Sequence, residues 1–190
     1  MQQTPDIAQL GGRICIIGPS NSGKSTLAES LAKKIGATTI HLDQMAHAPH
    51  TSWERRADKD FIADHDAAIA SDLWVADGNY SVCMPQRFER ATSVLWLDPP
   101  LIGCLYRYGK RSAQRRSRRP GALDGATSEF SWALVKHTTL QYPKNRAKYE
   151  VLLKGRNIPI LRIKSMRELK ALYARWGLSY ERINSGHNPT

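Results

Sequence analysis

Two hydrophobic patterns alternate along the chain, and together they predict alternating strands and helices. Short runs of apolar, often β-branched residues have the composition of buried strands. Five such runs occur, at 14–17, 38–42, 73–76, 93–97 and 158–163. Because most of these runs are apolar at successive positions, we expect a parallel sheet that is covered by helices on both faces.

The stretches between these runs have helical periodicity or helix-boundary residues. Apolar residues recur in the i, i+4 spacing from Leu27 to Ile35, and Gly36 ends that stripe. Pro85 is predicted to lie in the first turn of a short helix, whereas Pro143 is predicted to separate two helical segments. The predicted helices span about 24–35, 55–70, 85–90, 101–116, 129–141, 144–154 and 166–176.

Three segments fit neither pattern. Residues 44–52 are predicted to be irregular, residues 117–128 combine proline with glycine and are predicted to be mobile, and residues 178–190 read as a loose tail. No internal repeat is visible. We therefore expect one domain over residues 1–190, with a core at about 13–177 and a basic lid at about 107–128.

Composition narrows the class of protein. A chain of 190 residues with 41% hydrophobic content can bury a sizeable core. Cys15, Cys83 and Cys104 are odd in number and lack CxxC spacing, which favours reduced thiols and a cytoplasmic location. No leader and no membrane-spanning run is apparent, so a soluble, unexported protein is expected. The six histidines form no ligand-spaced cluster, so no transition metal is predicted.

The formal net charge of +11 is concentrated in two stretches. Residues 101–119 contain seven cations and no acid: Arg107, Lys110, Arg111, Arg115, Arg116, Arg118 and Arg119. A second excess of lysine and arginine lies within 144–156. Such runs attract polyanions, and the pattern fits either nucleic acid or the triphosphate of a nucleotide.

The strongest chemical motif directly follows the first predicted strand. The spacing Gly18-x-x-x-x-Gly23-Lys24-Ser25 is a Walker A sequence. Its glycines let successive backbone N–H groups turn toward phosphate oxygens, and the start of the next helix adds its positive dipole end. Lys24 is predicted to neutralise the β and γ phosphates of ATP, and the Ser25 hydroxyl to ligate Mg²⁺. The predicted ATP-binding residues are Gly18, Pro19, Ser20, Asn21, Ser22, Gly23, Lys24, Ser25 and Thr26.

Aspartates follow three other predicted strands, namely Asp43, Asp77 and Asp98. In parallel α/β sheets, ligands bind outside the carboxyl ends of the strands. The three carboxylates are therefore expected at the same edge of the sheet as the phosphate loop.

Taken together, these elements resemble the adenylate kinase-like P-loop kinases. They are most similar to a group labelled DNA topology modulation proteins, which are related to a flagellar regulator. The resemblance covers about 13–171 and rests on the P-loop, His41-Leu42-Asp43, Trp74 to Tyr80, Asp98, Arg107 and Arg111. It implies a three-layer α/β/α P-loop NTPase fold with a five-stranded parallel sheet in the order 2-3-1-4-5, a helical lid, and the cofactors ATP and Mg²⁺.

The resemblance also suggests roles for the carboxylates at the strand ends. Asp43 would take the proton of the acceptor hydroxyl, although an aspartate here also fits a cap for the following turn. Asp77 would hold a water on Mg²⁺ together with Ser25. Asp98 is the rival for the metal, but the two prolines after it suit a structural stop.

Further residues are expected to contact the substrates. Gly78, Asn79, Tyr80 and Arg87 would bind the acceptor, although the same sequence also fits an ordinary Gly-Asn turn and a solvated helix face. Arg107 and Arg111 have i, i+4 spacing and so share one helix face. In the resembled enzymes, two arginines in this position reach the nucleotide, and guanidinium groups bind phosphate bidentately.

The sequence therefore predicts an ATP-dependent phosphotransferase that moves the γ phosphate to a small acceptor, such as a nucleoside or nucleotide. The catalytic set would be Lys24, Asp43, Arg107 and Arg111. The alternative is a nucleic-acid-binding regulator that uses the nucleotide as a switch. Because no aromatic-basic RNA signature or helix-turn-helix pattern is visible, nucleic-acid binding is expected to be weak and non-specific.

Overall fold

The computed structural model describes residues 4–51, 53–113 and 132–179, with side chains described except at 111–138. A 3₁₀ turn at Ile7–Leu10 precedes the sheet. The strands are β1 (Arg13–Ile17), β2 (Thr38–His41), β3 (Trp74–Asp77), β4 (Ser93–Leu97) and β5 (Ile160–Ile163). The helices are α1 (Lys24–Ile35), α2 (Leu42–Ala46), α3 (Asp58–Ala68), α4 (Met84–Arg90), α5 (Leu101–Ala113), α6 (Trp132–Leu153) and α7 (Met166–Trp176).

All five strands are parallel and lie in the order β2-β3-β1-β4-β5. This confirms the predicted fold class and strand order. The β1 strand lies at the centre, and its first helical connection leads to the edge strand β2. The carboxyl ends of β3 and β4 therefore flank the point at which β1 leaves the sheet, where ligands bind in open α/β sheets.

Hydrophobic cores cover both faces of the sheet because successive strand residues point to opposite sides. Cys15 and Ile17 belong to a core that includes Phe61 of α3, Phe88 of α4 and Tyr149 of α6. Ile14 and Ile16 belong to a second core with side chains of α1 and α7. The short apolar runs in the sequence are thus buried on both sides, as a parallel sheet requires.

The structure differs from the predicted elements at Asp43. The α2 helix begins directly after β2, where the sequence pattern predicts strand to residue 42 and irregular structure from residue 44. Leu42 and Ala46 are spaced i, i+4 and are both buried, which stabilises this short turn. Asp43 lies in its first turn, where a carboxylate interacts favourably with the helix dipole.

The predicted helix boundary at Pro143 is not observed, because α6 continues through this proline. Proline removes one backbone hydrogen bond from a helix, so tertiary contacts must stabilise the helix around it. The Tyr142 hydroxyl donates to the Pro99 carbonyl at 2.8 Å. Nearly two turns beyond the proline, Tyr149 packs edge-on against Trp96. The helix is thus attached to β4 and its end on both sides of the proline.

Most of the predicted lid, 107–128, and of the predicted tail, 178–190, lies outside the described residues. The backbone of Arg111 belongs to α5, but its side chain is not among those described. Within the described part of the chain, none of the helices has the length and apolar character needed to cross a membrane.

We expect Gly18→Ala to destabilise the fold more than the same change at a second glycine with positive φ. Gly18 has a φ of +144°, and a Cβ added there would lie 2.2 Å from the Leu97 carbonyl oxygen. Gly36, which has a φ of +70°, has no atom within 4 Å of its added Cβ. Chemical denaturation should show a loss of unfolding free energy of about 3 kcal/mol for Gly18→Ala and about 1 kcal/mol for Gly36→Ala. Equal losses would contradict the steric argument.

Candidate active site

A polar cleft of about 460 Å³ opens at the carboxyl edge of the sheet. Its walls come from the β1–α1 loop, α2, the segment after β3, the end of β4, and α6. Its lining includes Pro19, Ser20, Lys24, Asp43, Arg55, Gly78, Asn79, Tyr80, Asp98, Tyr142 and Arg146. Lys24, Asp43, Gly78, Asn79 and Tyr80, which the sequence predicts as site residues, thus lie in one cleft.

The β1–α1 loop has the backbone geometry of an anion-binding site. Gly18, Asn21 and Gly23 have positive φ angles, and Gly23 is the N-cap of α1. Such alternation of backbone conformation turns successive N–H groups into one concavity, at the positive end of the helix dipole. The Ser22 side chain is buried, and Thr26 follows Ser25 in the first turn of α1.

Lys24 and Arg107 both contact this loop. The Lys24 ammonium donates to the Pro19 carbonyl at 2.9 Å. The Arg107 guanidinium donates to the Asn21 carbonyl at 2.7 Å and lies 3.3 Å from the Cys104 sulfur. Two cations from different helices therefore lie on the loop predicted to bind phosphate. The side chain of Arg111, the second predicted arginine, falls outside the described set.

Asp77 lies beside the start of α1. The Ser25 hydroxyl donates to Asp77 Oδ2 at 2.7 Å, and His41 Nδ1 lies 2.5 Å from Asp77 Oδ1. The other ring nitrogen of His41 lies 3.3 Å from Glu29 Oε1. Burial acts to lower the pKa of His41, but the bonds and charges of Asp77 and Glu29 outweigh it and raise the pKa. An imidazolium would thus be paired with both carboxylates.

The sequence analysis assigned no role to His41. Its position at the end of the second strand, two residues before Asp43, was the feature of the sequence that could have indicated one. Its partner depends on the strand register, in which His41 lies directly across from Asp77.

Asp98 has a different set of partners. Its Oδ2 accepts two hydrogen bonds from Arg162, at 2.8 and 2.6 Å, and lies 3.3 Å from Arg146 Nε. The Tyr142 hydroxyl lies 3.1 Å from the other oxygen and shares its single proton between this carboxylate and the Pro99 carbonyl. The Arg162 guanidinium also stacks on Trp96, 4.0 Å from the ring centroid. Asp98 is therefore nearly surrounded by donors, whereas Asp77 contacts Ser25 in the first turn of α1.

The chemistry of Ser25 and Asp77 suits Mg²⁺. Both offer oxygen ligands, which this hard cation prefers. Mg²⁺ also retains several waters and commonly takes the rest of its ligands from substrate phosphates, so two protein groups suffice. These residues are the ones that the sequence predicts for the metal.

Asp43 and Tyr80 form another pair in the lining of the cleft. The Tyr80 hydroxyl donates to Asp43 Oδ1 at 2.8 Å. Burial, followed by the charge of Asp43, raises the pKa of Tyr80, so the phenol stays protonated and remains a donor. Its ring packs against Phe61, and the Arg55 guanidinium lies 5.7 Å from the ring centroid. Asp43 is thereby oriented while its side chain remains exposed to the cleft.

Asn79 is held by the phosphate loop. Its Oδ1 accepts from the Gly18 N–H at 3.1 Å, and its Nδ2 donates to the Gly18 carbonyl at 2.6 Å. The amide predicted to contact an acceptor is thus bonded twice to the end of β1. Gly78, which precedes it, has a φ of +136°, and an added Cβ would lie 2.8 Å from the Leu42 Cβ.

Arg87 does not occupy the position expected of an acceptor ligand or of a solvated helix face. The side chain is fully buried beneath the segment that follows β3. It donates to the Gly78 carbonyl at 3.2 Å and approaches Cys83 Sγ and His65 Nε2, each at 3.5 Å. The expectation that Arg87 contacts an acceptor is therefore corrected. Its guanidinium is enclosed by protein and stabilises the backbone at Gly78.

Several residues of α6 line the cleft, Tyr142 and Arg146 among them, and none of these was predicted as a site residue. The excess of cations at 144–156 was visible in the sequence, but nothing in it indicated which cation faces the sheet. The contacts with Asp98 decide this, because they turn both side chains toward the end of β4.

Comparisons with solved structures agree with the fold. The chain is similar to a gluconokinase from Sinorhizobium meliloti 1021, with a TM-score of 0.53, 15% sequence identity, and coverage of 89% of this chain and 93% of that one. It also matches an unliganded sugar kinase from Janibacter sp. HTCC2649 with a TM-score of 0.46, 14% identity, and coverage of 88% and 95%. The second score is too low to establish a shared fold.

The similarity to the gluconokinase shows that the two chains share a fold. No protein-family model matches the chain, and no curated protein matches it in sequence. The narrower resemblance to the DNA topology modulation proteins remains a prediction.

The buried pair of His65 and Arg87 predicts acid sensitivity. Burial is the largest cause that lowers the pKa of His65, and the charge of Arg87 adds to it. The unfolded chain therefore takes up this proton near pH 6.5, before the folded protein does. The free energy of unfolding should fall between pH 7 and pH 5, by at most about 1.4 kcal/mol per pH unit from this residue.

Denaturation measured across this pH range tests the assignment. His65→Gln should flatten the pH dependence, because glutamine offers Arg87 an acceptor that does not titrate. The exposed His50 provides the control, and His50→Asn should retain the wild-type slope. An unchanged slope in His65→Gln would show that other groups cause the acid sensitivity.

Proposed function

We propose that this protein is an ATP-dependent kinase that transfers the γ phosphate to a hydroxyl of a small acceptor. The observation that carries this proposal is the arrangement of three groups at one sheet edge. Lys24 and Asp43 line the same cleft, and Ser25, next to Lys24, is hydrogen-bonded to Asp77. These groups correspond to a phosphate ligand, a group that accepts the acceptor's proton, and a pair of metal ligands.

The nucleotide would bind through the loop 18–26, whose N–H groups and helix dipole attract the phosphates. Lys24 and Arg107 would shift from loop carbonyls to phosphate oxygens, because a charged acceptor makes the stronger hydrogen bond. Ser25 and Asp77 would hold Mg²⁺, and this cation would supply positive charge that offsets the charge of the phosphates. Asn79 would keep the end of β1 in position through its two bonds to Gly18.

The acceptor would bind beside Asp43. One oxygen of this carboxylate is bonded to Tyr80, which limits its rotation and leaves the other to accept a proton from the attacking hydroxyl. Positioning of this kind supplies much of the catalysis in phosphoryl transfer. The cleft also presents Tyr80, Trp96 and Tyr149 beside polar groups. This mixture suits a nucleoside or nucleotide, which has an aromatic base and a hydroxylated sugar.

We also propose a reducing, cytoplasmic setting. Cys15, Cys83 and Cys104 are all buried and unpaired. Burial raises the pKa of each thiol, for Cys15 to about 11, so each stays protonated and unreactive at neutral pH.

We expect Lys24→Ala to lower product formation by at least about a hundredfold, because a charge in contact with the transferring phosphates contributes several kcal/mol. Labelled ATP should be incubated with a panel of nucleosides, nucleotides and hydroxylated sugars, including gluconate because of the structural neighbour. Lys34→Ala in the same helix is the control, since Lys34 is exposed at the far end of α1.

The fold of both variants should be compared by circular dichroism. Product formation by Lys24→Ala within about tenfold of wild type would contradict the assigned role of the loop. Failure of the wild type to phosphorylate any acceptor on the panel would count against the kinase proposal itself.

We expect Asp43→Asn to lower the turnover number by about 10² or more while changing ATP affinity less than about twofold. The reason is that Asp43 is proposed to act on the acceptor and not on the nucleotide. Steady-state kinetics and equilibrium ATP binding separate the two effects. Asp60→Asn, a change at an exposed aspartate of α3, should leave both unchanged. Equal losses of turnover and ATP affinity in Asp43→Asn would move Asp43 to the nucleotide or metal site.

A further inference from the structure

We infer that His41 is a positioning residue for the metal site, which it serves by holding the carboxylate of Asp77 in the orientation required for Mg²⁺. The inference rests on the proposed function, because it assigns a task to a neighbour of the proposed metal ligands. His41 would touch neither substrate nor metal. It would act through Asp77.

Four side chains form an open row of three contacts. Ser25 donates to Asp77 Oδ2 at 2.7 Å, Asp77 Oδ1 lies 2.5 Å from His41 Nδ1, and His41 Nε2 lies 3.3 Å from Glu29 Oε1. Ser25 and Glu29 are four residues apart in α1, so they share one face of that helix. The row therefore begins and ends on the helix that also carries Lys24.

Burial limits the partners that the Asp77 carboxylate can have. The side chains of Asp77 and His41 are 5% and 9% exposed, so water has little access to the bond between them. A buried carboxylate needs hydrogen bonds to its oxygens, and here each oxygen has a different protein partner. If His41 were removed, Oδ1 would lose its partner and the carboxylate could rotate about the bond that joins it to Cβ.

The strand register explains why His41 provides this contact. Parallel pairing of β2 and β3 sets His41 directly across from Asp77, the last residue of β3. Because neighbouring residues of a strand point to opposite faces, Ile40 cannot take over the contact, and Leu42 already belongs to α2. Ile40 and Leu42 are both buried in the hydrophobic core.

The geometry of Mg²⁺ makes the orientation of Asp77 consequential. This cation requires near-ideal octahedral coordination, so rotation of a carboxylate that binds it or its waters weakens the site. Loss of His41 should therefore reduce the part of nucleotide affinity that depends on Mg²⁺. If the histidine only joined β2 to β3, its loss would lower stability but leave that dependence unchanged.

The experiment measures the dissociation constant of ATP in Mg²⁺ and in EDTA, by fluorescence competition, for the full chain and its variants. In His41→Leu we expect Mg²⁺–ATP binding to weaken about tenfold, a typical loss for an outer-shell partner, and metal-free ATP binding to change less than about twofold. His41→Asn should restore most of the loss, because the asparagine Nδ2 can occupy the place of the histidine Nδ1. His50→Asn serves as the control for loss of an exposed imidazole.

Thermal unfolding of each variant separates positioning from folding. Glu29→Ala leaves the His41–Asp77 contact in place and should weaken Mg²⁺–ATP binding less, about two- to threefold. This variant therefore still tests the inference if both His41 variants fail to fold. An unchanged ratio between the two dissociation constants in His41→Leu, or in Glu29→Ala where the histidine variants do not fold, would overturn the inference. That result would leave the proposed function standing, whereas wild-type protein that binds no ATP would overturn the proposed function.

Discussion

The whole site depends on how β1 leaves the sheet at Gly18. On one side the Leu97 carbonyl of β4 approaches so closely that no Cβ can be accommodated. On the other side, Asn79 holds the backbone N–H and carbonyl of Gly18 from the segment after β3. The loop 18–26 thus starts from a point held by both neighbouring strands, and the positions of Lys24 and Ser25 follow from it. A buried glycine is what allows this close approach.

Charged groups near this point divide into those that support the site and those that face the cleft. Arg87 is fully buried and donates to the Gly78 carbonyl, which stabilises the backbone that carries Asn79 and Tyr80. Asp98 is engaged by Arg162 and Tyr142, and so joins β4, β5 and α6. Because buried charges require partners, Arg87 and Asp98 have structural roles. The exposed carboxylate of Asp43 is left at the cleft.

The α6 helix shows how tertiary contacts overrule a local signal. Proline is unfavourable inside a helix by about 3 kcal/mol, which is why Pro143 predicts a boundary. Contacts of Tyr142 and Tyr149 with β4 and its end stabilise the continuous helix on both sides of it. The same contacts bring α6 to the cleft, where Arg146 becomes part of the lining. The continuous helix around Pro143 thus determines which residues of α6 line the proposed site.

The amino-acid sequence by itself determined the strands, the glycine-rich turn between the first strand and the first helix, and the presence of aspartates near strand ends, because these are set by local hydrophobic pattern and motif spacing. The predicted order of the sheet, which the structure confirms, came from resemblance to P-loop kinases. Only the tertiary structure decided which partners each charge has. Asp77 and Asp98 look equivalent in sequence, yet one meets Ser25 and the other Arg162, since β3 and β4 lie on opposite sides of β1. Arg87 was expected at the acceptor or in solvent and is buried, and His41, which was given no role, contacts Asp77, because both depend on packing and register between residues far apart in the chain.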